Sequence, residues 1–530
     1  MFTRFKWFTW PSLALGILLL IALVLRLHGL NAESLSVDES VMLEFTNGLL
    51  ESGYPHRHLG DLSVPLQNYE FLVYPLALFM GLFGNHETVL RIPAVLFGVA
   101  TTALIYWIGL QLFNRLTGFL AALIYAFSPW AINFSQCLFH PAQDQFLGLV
   151  TIYLWYRGAI ESEEIRPAYV YGAAASFPFA YLTWEGHGML LPVFLLSLFV
   201  FRRQDWSWMK SRVLWTGVGI AILVVFLELC WRLASFPPYV QIGLELRHLR
   251  SPILAFLLPE TDFWVSWKEF FWAENRALST LLAVVGLPLI RRDRPLAYFY
   301  LVAATFPILL TCFLEVVTPH YLYCMLPFLS LVAARVLTTY LGSVSKLLPG
   351  DSPIGGRLIN YSLILVIVAG VFLSSNYLAL RLYRLSYMPD KEGYYEREDY
   401  AWIDHRGGGQ FMAQQAATPI TSNMACYLKQ FQGIISSYCP ELNLGVPVYY
   451  DYVSANPKTL EKYIGAPVLR NYQELEEAFC QNRRLYLEVT TRLSRIDPML
   501  VDFLYSRCHP VFHTFNDQVF LWNNAGRSME

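Results

Sequence analysis

Two acidic segments of the sequence carry residues that can do proton-transfer chemistry. Asp38 and Glu39 stand a few residues beyond the first apolar stretch, and Asp144 stands at the start of a later one. Ionisable groups beside hydrocarbon are costly and commonly mark function. A carboxylate there can act as a general base toward a hydroxyl group. A structural alternative stays open for both segments, because Asp and Ser cap helices and acidic residues favour a helix N-terminus.

Other polar side chains accompany these carboxylates. His140 belongs to the second acidic segment, and Glu185 and His187 occupy a glycine-containing turn between two apolar stretches. The functional hypothesis places all three in a substrate cavity. The glycines at 186 and 188 are equally typical of a plain hairpin turn.

A long loop, 233–275, combines positive charge with aromatic side chains. It contains Arg247 and Arg250 together with Trp264 and Trp267. Arginine forks suit phosphate oxygens, and aromatic rings suit the headgroup level of a membrane. An interfacial helix with its cations extended toward water would explain the same pattern.

The sequence gives weak support for metal binding. His56 and His58, with Asp61, have a spacing that could hold zinc from a strand. Loop histidines without a metal are far commoner, so we assign no metal site and no firm cofactor, and a divalent metal is left open.

The composition indicates that lipid is the main solvent of these elements. Charged residues are 15% and hydrophobic residues 55% of the 530 residues, whereas soluble domains have about 25% charged residues. No basic stripe of the kind that binds nucleic acid is present. We predict an all-α polytopic membrane protein with about eleven transmembrane helices. The predicted spans are 11–30, 91–112, 116–135, 143–157, 167–184, 187–202, 212–232, 276–290, 295–314, 320–341 and 358–380.

Loop charges orient these spans. Lys and Arg cluster before the first span, at 202–212, at 291–294 and at 346–357, and such loops face the cytoplasm. The first loop, 31–68, the loop 233–275 and the C-terminal region then lie outside. Counting spans back from residue 202 also places residues 85–91 outside. Because one crossing cannot join two external regions, the apolar segment 69–84 between them is predicted to be interfacial or re-entrant. We therefore expect a multi-pass plasma (inner) membrane protein with a cytoplasmic N-terminus and an extracytoplasmic C-terminal domain.

The composition changes after residue 384. We predict a transmembrane domain over 1–384 and a small soluble α/β domain over 385–530, with a helix at 472–480 and a strand at 484–490. Four cysteines fall in this region: Cys426, Cys439, Cys480 and Cys508. Pairing of sequence neighbours is one of three connectivities, and reduced thiols are an equal alternative.

The order of several motifs resembles the glycosyltransferase C superfamily, in its protein O-mannosyltransferase and aminoarabinose-transferase-like branch. The resemblance spans about residues 10–340. The motifs are the Asp38-Glu39 pair, Gly84-(x6)-Arg91 with the following residues to Gly98, Tyr106 to Phe113, Ala126 to Pro129, the stretch 135–144, and Pro319 to Pro327.

This resemblance implies an inverting glycosyltransferase that moves a sugar from a polyprenyl-phosphate carrier to an acceptor hydroxyl on the extracytoplasmic face. It implies Asp38 as general base, aided by Glu39, with Asp144 as a second catalytic carboxylate. The implied partners are the lipid-linked donor, membrane lipid, and an acceptor glycan, lipid or protein, but no nucleic acid. The candidate ligands of the donor phosphate are Arg91, Arg247, Arg250, His320 and Tyr321.

The chain departs from the family where phosphate-binding cations are expected. His320 stands where many relatives have Arg or Lys, and His140 and Gln143 stand where many have Arg. The alternatives to transfer are a transporter or flippase of a lipid-linked saccharide and a catalytically inactive scaffold of the same fold. The sequence leaves the sugar and the acceptor open.

Overall fold

We analysed a computed structural model of the chain. It describes residues 10–31, 35, 37–59, 62–66, 69–234, 268, 270–272, 276–313, 319–347, 405–416, 423–428, 448–449, 468–469, 472–480, 484–489, 498–514 and 517–523.

The described part of the chain is mostly helical, as the composition predicts. Every predicted span coincides with helix, apart from 358–380, which lies outside the described residues. The helices are α1 (Trp10–Leu27), α2 (Val37–Ser52), α3 (Val73–Phe83), α4 (Glu87–Leu112), α5 (Arg115–Ala126), α6 (Pro129–Phe134), α7 (Pro141–Trp155), α8 (Pro167–Thr183), α9 (Leu190–Phe201), α10 (Arg212–Ala234), α11 (Arg276–Gly286), α12 (Arg294–Phe313), α13 (Leu326–Leu347), α14 (His405–Ala416), α15 (Tyr472–Cys480) and α16 (Pro498–Arg507).

Three of the described helices are long and apolar enough to cross a membrane by themselves. They contain the segments Glu87–Leu112, Arg212–Trp231 and Tyr321–Gly342. Others, such as Arg294–Leu310, form shorter apolar helices of 10–17 residues. Short turns extend several of them, including a π turn at Tyr156–Ile160 after α7 and a 3-10 turn at Glu185–Met189 before α9.

Helices α4 and α5 approach closely because glycines face each other at their crossing. A Cβ on Gly109 would lie 2.5 Å from the Cα of Gly118, and a Cβ on Gly118 would lie 2.4 Å from the carbonyl oxygen of Tyr106. Small residues at helix interfaces in membranes allow such contact between backbones. The pair therefore fixes the distance between two central helices of the bundle.

The predicted span 116–135 is divided into α5 and α6 by Pro129. Proline lacks an N–H group, and it disfavours helical backbone in the preceding residue. Ser128 accordingly has extended backbone, with ψ of 124°. The buried Arg26 side chain donates from Nη1 to the Ala126 carbonyl, at 3.2 Å, so a carbonyl near the break has a partner.

The segment 69–84 contains a helix too short to cross a bilayer. Helix α3 has 11 residues, or about 16 Å at 1.5 Å per residue, against a hydrocarbon thickness of about 30 Å. It packs on α2 in a second hydrophobic core that includes Phe45, Val73 and Leu138. The hairpin β1 (His56–Leu59) and β2 (Leu62–Pro65) lies between these helices in the chain. This length agrees with the prediction that the segment does not cross, which stays a prediction.

Loops rich in arginine meet at one end of the bundle. Arg202 donates to the Ala159 carbonyl at 2.6 Å. Arg335 pairs with Asp293 at 2.6 Å and lies over the Phe113 ring. We call this the arginine end; it comprises residues 113–117, 156–166, 201–212, 291–294 and 335–338. Two of these stretches, 201–212 and 291–294, contain the loops that the charge pattern predicts to face the cytoplasm.

The C-terminal region contains a six-stranded mixed sheet. Its strands are β3 (Asn423–Leu428), β4 (Val448–Tyr449), β5 (Val468–Leu469), β6 (Arg484–Val489), β7 (His509–Thr514) and β8 (Asp517–Asn523). Their order is β5-β4-β3-β6-β8-β7, with parallel pairs from β5 to β6 and antiparallel pairs beyond. The predicted helix at 472–480 and the strand beginning at residue 484 are confirmed.

Of the alternatives left open for the C-terminal cysteines, the structure has Cys480 and Cys508 as unpaired thiols among the residues that it describes. Cys480 is exposed at the end of α15, whereas Cys508 is buried after α16, and this burial raises the pKa of the Cys508 thiol to about 12. The side chain of Cys426 and all of Cys439 lie outside the described residues.

Candidate active site

A buried ion pair joins the first acidic segment to helix α4. Glu39 lies in the first turn of α2, and its two oxygens accept hydrogen bonds from Nε and Nη2 of Arg91 at 3.1 and 3.3 Å. Nη1 of Arg91 donates to the Leu30 carbonyl at 2.9 Å. The backbone N–H of Leu138 donates to Glu39 at 2.9 Å. Glu39 therefore ties α2 to α4 and also to the stretch that leads to Asp144.

This geometry bears on three predicted site residues. Asp38 precedes Glu39 in α2, and the position of its side chain is outside the described part of the structure. Glu39 and Arg91 bind each other, so a donor phosphate would have to compete with a carboxylate for Arg91. The pair fits a role in positioning α2, and the catalytic role of Glu39 and the phosphate-binding role of Arg91 stay predictions.

Asp144 lies buried in the first turn of α7. Pro141 stands at the first helical position, where its missing N–H costs nothing. Oδ2 of Asp144 lies 3.0 Å from Nδ1 of His140, one turn earlier. Oδ1 of Asp144 has no hydrogen-bond partner within the part of the chain that the structure describes. A buried acceptor of this kind is costly unless something binds it, so Asp144 has one oxygen available to a ligand.

Four stacked rings bring separate segments of the chain together around His140. The His140 ring stacks on Tyr69, with ring centres 5.4 Å apart, and on Trp184, at 5.2 Å. Trp184 stacks in turn on Tyr321 at 5.7 Å. The stack unites the second acidic segment, the turn at 184–188 and the late motif that begins at residue 319. We call it the ring stack.

His187 packs directly against α7. A Cβ on Gly148 would lie 2.3 Å from Nε2 of His187. Gly148 is one helical turn beyond Asp144, so both residues face the same side of α7. His187 is buried, and its Nδ1 has no hydrogen-bond partner among the residues described here. Glu185 begins the same 3-10 turn and is partly buried.

Two glutamines of α7 connect the site to its surroundings. Gln143 donates to Thr183 Oγ1 at 3.1 Å and to the Phe71 carbonyl at 3.3 Å. Gln145 donates to the Tyr323 carbonyl at 2.6 Å. The sequence did not single out Gln145, Tyr69 or Trp184 as site residues. Only their position beside the predicted external turns distinguished them from other polar and aromatic residues.

The acidic segments and the turns meet at one end of the bundle, which we call the carboxylate end. It comprises residues 28–31, 37–39, 69–71, 86–91, 136–144, 183–187 and 319–321, as the contacts above define. It lies at the opposite end of α7 from the arginine end, because α7 runs from Pro141 to Trp155. The C-terminal region also reaches this end: Arg406 binds Glu87 at 3.0 and 2.5 Å and the Asn31 carbonyl at 3.1 Å.

The structure describes only some of the predicted ligands of the donor phosphate. Arg247 and Arg250 lie outside the described residues, as does the side chain of His320, although its backbone is in the 3-10 turn Pro319–Met325. Tyr321 is partly buried in the ring stack. Among the residues that are described, no cluster of three or more His, Cys, Asp or Glu side chains could hold a metal ion.

The fold matches solved structures of ArnT and of an oligosaccharyltransferase. Apo ArnT of Cupriavidus metallidurans aligns with a TM-score of 0.61 and 14% identity, over 96% of this chain and 97% of that one. The same protein bound to undecaprenyl phosphate gives 0.59, 14% identity, and 97% and 99% coverage. The apo oligosaccharyltransferase of Archaeoglobus fulgidus gives 0.55 and 12% identity, over 91% of this chain and 70% of that one.

The chain therefore shares the fold of these structures, and a family model supports the resemblance drawn from the sequence motifs. Residues 71–231 match the family described as dolichyl-phosphate-mannose-protein mannosyltransferase. This matched segment contains Asp144, His140 and His187. No protein of curated function matches the sequence.

Proposed function

We propose that the chain is an inverting glycosyltransferase that takes a sugar from a polyprenyl-phosphate carrier. The observation that carries this proposal is the buried Asp144 carboxylate, which keeps one oxygen without a partner in the described structure, inside the segment that matches the mannosyltransferase family. A solved structure with the same fold holds undecaprenyl phosphate, which supports a donor of that class.

In the proposed reaction, an acceptor hydroxyl oxygen attacks the anomeric carbon of the donor sugar. The bond from that carbon to the phosphate oxygen breaks, and the lipid phosphate leaves with the electron pair. A carboxylate takes the hydroxyl proton; Asp38 is the proposed base, supported by its place beside the Glu39–Arg91 pair. Asp144 is the second carboxylate. Cations stabilise charge as it develops on the leaving phosphate, and Arg247, Arg250 and His320 are the proposed source.

We propose that the carboxylate end faces the extracytoplasmic side of the plasma membrane. The arginine end gathers the loops that are richest in Lys and Arg, and such loops stay in the cytoplasm. Arg406 anchors the C-terminal region at the carboxylate end, which supports an external C-terminal domain. The proposed count of about eleven spans, an odd number, would put the N-terminus and this domain on opposite sides of the membrane. Alkaline phosphatase fused after residue 530 of the full chain should be active. A fusion protein that is inactive at normal abundance would show that the C-terminus is cytoplasmic and would contradict the proposed topology.

Asp144→Asn tests the catalytic proposal with nearly unchanged volume. The full chain, in nanodiscs, would be given undecaprenyl phosphate carrying radiolabelled mannose, glucose or aminoarabinose, with cell envelopes as the source of acceptor. Release of undecaprenyl phosphate should be seen for one donor and should fall in the variant by about 10²–10⁴-fold, the usual contribution of acid–base groups. Asp502→Asn, at an exposed position of α16, is the matched control.

Other outcomes separate the alternatives. A transporter would move the donor intact across a proteoliposome membrane without releasing lipid phosphate. An inactive scaffold would do neither with any donor. Equal release by Asp144→Asn and by the parent protein would remove Asp144 from the mechanism.

A further inference from the structure

Four charged side chains form an alternating chain from the C-terminal region to helix α2. Arg406 of α14 binds both oxygens of Glu87, which lies 3.9 Å from Arg91. Arg91 binds both oxygens of Glu39. This series of ion pairs connects Glu87 with Arg406, which are 319 residues apart in the sequence. It ends beside the proposed base, Asp38.

Glu87 is placed between two arginines that compete for it. Its Oε2 atom lies 2.5 Å from Nη2 of Arg406 but 3.9 Å from Nη1 of Arg91. The shorter contact is a charge-assisted hydrogen bond, whereas the longer one is only an electrostatic approach. Arg406 therefore holds the Glu87 carboxylate away from Arg91.

Loss of Arg406 would change the balance at Arg91. Glu87 is one helical turn before Arg91 on α4, so the two can form a direct pair when nothing else binds the carboxylate. Nη1 of Arg91 would then leave the Leu30 carbonyl, and the fork on Glu39 would be disturbed. Because Glu39 is buried with Arg91 as a major partner, the first turn of α2 would loosen.

We propose that Arg406 is a positioning residue that keeps Arg91 on Glu39 by holding Glu87. Through this series of ion pairs the C-terminal region sets the position of the α2 N-terminus. The activity part of this proposal rests on the proposed transferase function, whereas the effect on α2 does not.

Three variants separate this role from simple docking of the C-terminal region. Arg406→Gln frees Glu87 to compete for Arg91 and should be the most harmful. Glu87→Gln removes the competitor and should disturb α2 little. The double variant Arg406→Gln/Glu87→Gln lacks the docking contact altogether, yet it should behave better than Arg406→Gln alone. Simple docking predicts that the double variant is at least as impaired as Arg406→Gln.

Hydrogen exchange of residues 37–44 in the full chain is the readout that does not depend on activity. Exchange there should be about tenfold faster in Arg406→Gln, as expected for a coupled contact, and near that of the parent in the double variant. Arg507→Gln, at an exposed arginine of α16, is the matched control. Arg406→Lys keeps a charge beside Glu87 and should retain most of the protection, which guards against a variant that fails to fold.

Activity gives the second readout. With a donor that the parent protein uses, Arg406→Gln should lower kcat by about tenfold with little change in KM for the lipid donor, and the double variant should recover most of this loss. Equal exchange and equal kcat in Arg406→Gln and the double variant would overturn the proposal. A parent protein without transferase activity would defeat the proposed function alone, because the exchange experiment would still decide the role of Arg406.

Discussion

Helix α7 and the His187 ring are so close at Gly148 that one added methyl group should separate them. A Cβ there would lie 2.3 Å from Nε2, 3.0 Å from Cδ2 and 3.3 Å from Cε1 of His187. Relief to ordinary contact, near 3.4 Å, requires the ring to move by about 1 Å. The ring is buried and packs edge-on to Trp184, so it cannot simply rotate into solvent.

The expected cost of Gly148→Ala follows from this geometry. Overpacking a well-packed interior costs about 1–3 kcal/mol, whereas replacing Gly by Ala inside a helix gains up to about 1 kcal/mol. Gly219→Ala in α10 gives the gain without the clash, because a Cβ there meets nothing within 4 Å. The two alanine variants should therefore differ in the free energy of unfolding by about 1–3 kcal/mol.

Thermal unfolding of the full chain, followed by tryptophan fluorescence, measures this difference. Gly148→Ala should unfold at a lower temperature than Gly219→Ala. In a His187→Ala background the Gly148→Ala penalty should disappear, because the ring that clashes is absent. Equal unfolding temperatures for Gly148→Ala and Gly219→Ala would refute the reasoning. A destabilisation by Gly148→Ala that persists in the His187→Ala background would refute it as well.

Four further predictions concern other parts of the chain. Gly109→Ala should destabilise the protein by about 1–3 kcal/mol, because the contact with Gly118 is between backbones and neither helix can yield cheaply; thermal unfolding against the α10 control checks this. A maleimide at pH 8 should label Cys480 in the folded chain and reach Cys508 only after denaturation, as peptide mass spectrometry would report. Because burial raises the pKa of Cys508 from an ordinary 9.0 to about 12, its neutral thiol stabilises the fold fully below pH 9, and this stability should be lost as the pH rises toward 12; unfolding curves of the parent and of Cys508→Ala should converge over that range. Arg202→Gln should expose the 156–166 turn to trypsin in inside-out vesicles, because Arg202 donates hydrogen bonds to carbonyls of that turn.

The helices of the bundle could be predicted well because lipid imposes a simple rule on sequence. Long apolar stretches must be helical in hydrocarbon, and their ends were therefore visible as charges and turn residues. The break at Pro129 was not separated from its span, since the apolar run continues through it. Helix α2 was also missed, because it lies in the first loop and contains acidic residues that interrupt the apolar pattern.

The site was predictable in its residue types and less so in its contacts. Asp144, His140 and His187 were found because polar groups beside apolar spans are conspicuous. The pairing of Glu39 with Arg91 was not, because the two residues are distant in sequence and each had been assigned a separate chemical role. Nothing in the sequence specified the partners of Gln143 and Gln145, since these depend on which turns meet in space.

The ring stack has a consequence for how this protein can diverge. Each of Tyr69, His140, Trp184 and Tyr321 is held face to face by a neighbour from another segment, so a change of ring size at one position leaves a gap or an overlap at the next. Among homologues these four positions should co-vary, with substitutions arriving in matched pairs more often than singly. Independent variation at Trp184, whose two faces are both covered, would be the least expected pattern.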